Sequence, residues 1–124
     1  MAESPNCLFV YGTLLHAARN GPARRLWAAA ELAGKATARG RLYGMGAYPA
    51  MTEARGDGEL VHGQVARLRD PAVLAELDEY EGPEYRRVVV EAVLETGQTV
   101  EAWAYVYTGP VEEAARIREG RWVQ

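Results

Sequence analysis

Residues 85–107 read YRRVVVEAVLETGQTVEAWAYVY, two strand-like runs, Tyr85–Leu94 and Thr99–Tyr107, joined through Glu95-Thr96-Gly97-Gln98. Valine-rich and aromatic runs on either side of a short glycine-containing turn predict a β-hairpin. No helix separates the two strands, so an α+β domain with a curled sheet is favoured over a doubly wound one. Upstream, Asp70-Pro71 predicts a helix start, with a capping carboxylate and then proline at the first helical position. That helix runs to Glu79 or Glu81 and ends at Gly82-Pro83. Before it, the Gly56-Asp57-Gly58 turn precedes a strand over 60–68, and residues 35–43 predict another strand broken by Gly44 and Gly46. Asn20-Gly21-Pro22 opens a helix whose stripe of Leu26, Trp27, Ala30 and Ala33 stops at Gly34. Residues 8–11 read as a buried strand stopped by Gly12. Downstream, 111–118 predict one or two helical turns before Trp122. With no repeat, linker or low-complexity stretch, residues 1–124 read as one domain.

Composition mainly excludes. Hydrophobic residues make up 48% and charged residues 25%, an ordinary globular balance. A net charge of −3, with thirteen arginines and Lys35 scattered along the chain, disfavours nucleic acid held by phosphate neutralisation. No apolar run approaches the ~18 residues of a membrane span, and the polar start MAESPN is no secretory signal, so a cytoplasmic protein is expected. There is one cysteine, Cys7, two histidines, His16 and His62, and one serine, Ser4. A Ser-His-Asp hydrolase would have to run on that tail serine, and one cysteine with two histidines falls short of a structural zinc site. His16 and His62 read as surface or loop histidines and Cys7 as an inert buried thiol. Neither metal nor cofactor is expected, which leaves carboxylates, tyrosines and backbone to carry any chemistry.

Three candidates remain. Tyr11-Gly12-Thr13-Leu14 follows the first strand, where a glycine lets successive backbone N–H groups face one space and hold a carboxylate or oxyanion. Position alone favours the plainer reading, an ordinary glycine at a strand end. Glu81 lies seven residues after Leu74 and four after Leu77, on the apolar face of its helix. A carboxylate there, beside the negative end of the helix dipole, has its pKa raised toward the range of a general acid/base. Spacing alone somewhat favours the plainer reading, a frayed helix end with Glu81 turned to water. Asp78 and Glu84 read as solvated or structural charges. The third candidate is the aromatic set Tyr43, Tyr48, Tyr85, Trp103, Tyr105 and Tyr107, which either packs the sheet edge or supplies pocket hydroxyls.

The order of these pieces carries a resemblance. Tyr11-Gly12-Thr13-Leu14 is followed by Gly40-Arg41-Leu42-Tyr43, Tyr48-Pro49-Ala50 and Val61-His62-Gly63-Gln64-Val65. Then come Leu77-Asp78-Glu79-Tyr80-Glu81-Gly82 and Tyr85-Arg86-Arg87. From about Leu8 to Tyr107 the chain resembles the gamma-glutamylcyclotransferase superfamily, and within it the small gamma-glutamylamine cyclotransferase-like branch. The resemblance implies a small mixed β-barrel flanked by helices and a cavity roofed by the YGTL loop. It implies that Tyr11, Gly12, Thr13 and Leu14 bind substrate, that Glu81 is the catalytic acid/base, and that Tyr85 and Tyr105 are pocket tyrosines. It further implies a small gamma-glutamyl substrate closing on itself to release 5-oxoproline and an amine, in a monomer or homodimer that needs no cofactor. Two other readings stay open: a non-catalytic binding module of the same fold, and a tailoring enzyme that removes a gamma-glutamyl protecting group. Tyr48-Pro49 and residues 52–59 are expected to shape the leaving-group side.

Overall fold

Strand β1 (Cys7–Val10) is buried on both faces, and its alternate residues enter two different cores. The structure is a computed structural model that describes residues 5–122; Ser4 lies outside the described residues. After β1 come α1 (Gly21–Ala28), β2 (Ala30–Arg39), β3 (Arg41–Gly44), β4 (Pro49–Thr52) and β5 (Leu60–Leu68). Then follow α2 (Val73–Glu81), β6 (Tyr85–Leu94), β7 (Thr99–Tyr107), a 3₁₀ turn (Glu113–Ala115) and β8 (Arg116–Ile117). Five strands close a barrel in the order β1-β5-β2-β6-β7, and β4-β3-β8 form a small sheet beside it. All barrel pairings are antiparallel except β1 with β7, which run parallel through Leu8 and Trp103. The expected mixed barrel flanked by helices is the fold observed.

Side-chain size explains the closure. The core without helical members holds Phe9 and Tyr11 together with Ala36, Ala38, Ala92, Ala102 and Ala104. Alanines on the facing strands leave room for two rings inside a narrow barrel. Gly63 belongs to the same economy of space, since a Cβ there would overlap the Val10 carbonyl oxygen and press on the Phe9 ring. The second core joins Leu8 and Val10 to Ala23 and Leu26 of α1 and to Leu74 and Leu77 of α2. It docks both helices on the outer face of β1. Among the described residues no helix is long and apolar enough to cross a membrane.

The structure corrects several boundaries. The alanine-rich stripe predicts helix up to Gly34, yet α1 ends at Ala28 and residues from Ala30 onward pair with β5. Strand pairing there outweighs the helix preference of alanine, and a register shift between Leu32 and Gly34 absorbs the irregularity. The strand expected over 35–43 is two strands in two sheets, parting at Gly40, where a Cβ would meet Met51 Cε at 2.8 Å and the Thr52 carbonyl at 2.9 Å. Helix α2 starts at Val73. The Asp70 carboxylate caps the preceding turn, accepting from the Ala72 N–H at 3.0 Å. The helical tail expected over 111–118 is one 3₁₀ turn followed by β8, and β4 was not foreseen at all.

Candidate active site

Helix α2 ends at Glu81 because Gly82, at φ 82°, turns the chain out of the helix while its N–H still donates to the Asp78 carbonyl at 3.1 Å. Leu74 and Leu77 hold the same helix face against the core, so the last residue of that face, Glu81, is half-buried at the edge of a cavity. The cavity, about 360 Å³, lies between the end of β1, residues 47–49, the end of α2 and the start of β6. It is lined by Tyr11, Gly12, Thr13, Leu14, Glu81, Tyr85 and Tyr105, all seven of the residues expected there from the sequence.

Glycine is required at position 12 for a reason other than the one expected. Its φ is not positive; instead a Cβ would overlap the Pro49 ring that closes the cavity beside it. The loop is held from behind. Asn20 caps α1 by accepting from the Ala23 N–H at 2.8 Å, and the same side chain donates to the Thr13 carbonyl at 2.7 Å. Trp27 Nε1 donates to the Leu14 carbonyl at 2.9 Å, and the His16 N–H donates to Gln64 Oε1 at 2.8 Å. With those carbonyls engaged, the N–H groups of Gly12, Thr13 and Leu14 donate to no other described residue. Backbone N–H groups left without partners in residues that line a cavity suit an anionic group.

Glu81 accepts no hydrogen bond from any described residue, and no lysine, arginine or histidine lines the cavity. Burial alone therefore acts on its carboxyl, and its pKa is pushed up to about 7. The tyrosines around it are held as neutral phenols. Burial raises Tyr11, Tyr85 and Tyr105 above the usual phenol value, and the nearby Glu81 charge adds to the shift in each. Their protons are committed to protein acceptors: Tyr11 donates to the Tyr105 carbonyl at 2.6 Å and Tyr85 to the Pro49 carbonyl at 3.1 Å. Tyr105 donates to Asp78 Oδ1 at 2.7 Å. These hydroxyl bonds fix the walls of the cavity.

Asp78 is structural, as one reading of the sequence has it. Burial raises its pKa, but donation from Arg87 at 2.8 Å and from Tyr105 outweighs that and leaves the carboxyl below its usual value. Arg87 in turn lies over the Trp103 ring at 4.3 Å. Glu84 is different. It accepts from Tyr107 at 3.1 Å and also lines the cavity, a second carboxylate that the sequence reading assigned no site role. Tyr80, which the helical phasing passes over, is 46% exposed at the rim and donates to Thr13 Oγ1 at 3.4 Å, linking α2 to the loop. The aromatic set divides. Tyr48, Tyr85 and Tyr105 line the cavity, whereas Tyr43 is core and Trp103 and Tyr107 support it from behind. Tyr48 and Pro49 line the cavity, but no residue of 52–59 reaches it. Cys7 is buried, and burial pushes its thiol pKa up, toward the unreactive neutral form. No group of three His, Cys, Asp or Glu side chains among the described residues could hold a metal ion.

The chain is similar to known proteins in both sequence and fold. The family model described as "Gamma-glutamyl cyclotransferase, AIG2-like" matches residues 8–124. The gamma-glutamylcyclotransferase family protein YtfP of Escherichia coli K12 is 35% identical over 118 residues, covering 94% of this chain and 95% of that protein. Among solved structures, an AIG2-like protein from Mus musculus superposes with a TM-score of 0.77 at 22% identity, over 98% of this chain and 90% of that one. YkqA from Bacillus subtilis superposes with a TM-score of 0.76 at 24% identity, over 96% of this chain but 40% of the longer protein. At those identities the structures speak for a shared fold.

Proposed function

The chain belongs to the AIG2-like gamma-glutamyl cyclotransferase family, and we propose that it cyclises a gamma-glutamyl amide to 5-oxoproline with Glu81 as general base and acid. The observation that carries this reading is a half-buried carboxylate, without a hydrogen-bond donor or cation beside it among the described residues, in the same cavity lining as Gly12, Thr13 and Leu14, whose N–H groups donate to no described residue. A pKa of about 7 suits a group that must both take and return a proton near neutrality.

A gamma-glutamyl amide carries its own nucleophile. Glu81 takes one proton from the substrate α-ammonium, and the freed amine attacks the γ-carbonyl, forming the ring N–C bond. The Gly12, Thr13 and Leu14 N–H groups hold the substrate carboxylate or the developing oxyanion. The C–N bond to the leaving amine then breaks as the protonated Glu81 donates to that nitrogen. The second ammonium proton follows through the same carboxylate, so the amine leaves protonated and neither water nor a net proton is consumed. Holding the chain curled supplies the proximity that makes the ring closure unimolecular. Tyr48, Pro49 and Tyr80, at the rim, flank the leaving group.

The test is 5-oxoproline release over a panel of gamma-glutamyl amines, gamma-glutamyl dipeptides and glutathione. Activity on at least one class is expected, falling at least ~100-fold in Glu81→Gln, which keeps the side-chain shape and removes the proton transfer. Calorimetric binding with no release by the wild type would instead identify a binding module.

A further inference from the structure

A second cavity, about 450 Å³ and larger than the first, opens where β2, β5 and the end of β6 meet the C-terminal segment. The segment reaches this place by extending the barrel edge beyond β1: the His62 N–H donates to the Gly120 carbonyl at 2.7 Å, and Gly120 lies so close to β5 that a Cβ would overlap the Leu60 carbonyl. Its polar lining is rich in donors. Lys35, the only lysine of the chain, forms no ion pair among the described residues. Arg121 forms none either, its one polar contact being His62 Nδ1 at 3.4 Å. The Gln64 amide oxygen is taken by the His16 N–H, which leaves its NH₂ free, and Thr37 adds a hydroxyl. Among the described residues Glu95 is the single carboxylate in the lining, against two cationic side chains.

Trp122 supplies an independent observation. Of the three tryptophans, Trp27 donates its indole N–H to the Leu14 carbonyl and Trp103 donates to the Pro5 carbonyl. Trp122 lines the second cavity, and its Nε1 is buried with no acceptor among the described residues. A buried donor without a partner is costly, and proteins rarely retain one without a use. The Trp122 indole and the two unpaired cations line one cavity.

We propose that this cavity is a second ligand site, taking the oxyanion group, carboxylate or phosphate, of a small molecule whose apolar part lies along Tyr11, Val93 and Leu94. Lys35 and Arg121 supply the charge, and the Gln64 amide and Thr37 hydroxyl supply hydrogen bonds, with the Trp122 indole packed beside them. Tyr11 lines both cavities, so the site stands behind the wall of the first one and shares no charged residue with it.

The test follows the indole N–H resonances of the ¹⁵N-labelled protein at constant ionic strength, titrated with inorganic phosphate in one arm and citrate in the other. The Trp122 signal, assigned through Trp122→Phe, is expected to move saturably while those of Trp27 and Trp103 stay. Response in either arm supports the site and identifies which oxyanion it prefers. Lys35→Met and Arg121→Gln, both at exposed positions, are each expected to weaken binding at least ~10-fold. Glu81→Gln is expected to bind as the wild type does, so this result is independent of the cyclotransferase reading. Unsaturable drift in both arms, or unchanged affinity in the Lys35→Met, Arg121→Gln double variant, would overturn the proposal.

Discussion

Two half-buried glutamates, one beside the small sheet and one at the end of α2, have proton affinities shifted in opposite directions. Glu59, where residues 53–59 meet the small sheet, accepts from Arg41 Nε at 2.9 Å, Arg116 Nη2 at 2.7 Å, and the N–H groups of Arg55 and Gly56 at 2.6 and 3.0 Å. Those donors, Arg41 first, hold its pKa down to about 2 against the effect of burial. Glu81, at the end of α2, has no donor among the described residues, and burial alone lifts it to about 7. Partners, more than burial, separate the two. A carboxylate surrounded by donors is fixed as an anion and ties a loop to the fold, whereas one left bare in a cavity can exchange its proton near neutral pH.

The contrast can be broken by removing each charge in turn. The largest expected effect is on turnover: Glu81→Gln loses at least ~100-fold in 5-oxoproline release with an unchanged fold, whereas Glu59→Gln keeps most of its turnover. Stability against pH should then separate the pair in opposite directions. Glu81 has a folded pKa above its unfolded value, so the stability it contributes is present below pH ~4.5 and is lost as pH rises through 7. That loss is at most about 3 kcal/mol, and about half as much for a carboxyl that keeps part of its surface in water. Glu81→Gln is therefore expected to gain on the wild type by ~1.5 kcal/mol between pH 4 and pH 8 in denaturant titrations. Glu59 runs the other way. Its contribution is present above pH ~4.5 and is lost as pH falls toward 2, so the deficit of Glu59→Gln in thermal unfolding narrows over that window. A smaller effect sharpens the rule: Tyr105→Phe removes one donor from Asp78 but leaves Arg87, and is expected to cost ~1 kcal/mol, or about 5 °C in Tm.

Glu81 was legible because it sits on regular structure, whereas the YGTL loop was legible only through the family resemblance. The 3.6-residue period from Leu74 through Leu77 puts Glu81 on the buried face, and Gly82 ends the helix there. The hairpin strands β6 and β7 keep the boundaries read from their valine-rich and aromatic pattern. What escaped lies where short segments carry no period. Strands β4 and β8, of four and two residues, are held by pairing with β3 and cannot be read from their own sequence. Residues from Ala30 onward carry a helical stripe, and only pairing with β5 makes them strand. Asn20 and Trp27, which hold the YGTL loop from behind, read as a turn residue and a core residue because their second role depends on Thr13 and Leu14 being folded beside them. Glu84 escaped for the same reason, since only the fold brings it to the cavity.

The most direct measurement is a carboxyl-carbon NMR titration of the ¹³C-labelled protein, with Glu59 and Glu81 assigned through their glutamine variants. The account requires the Glu81 signal to titrate with a midpoint near 7 and that of Glu59 with a midpoint near 2. Midpoints for both within the ordinary glutamate range of about 4–5 would contradict it.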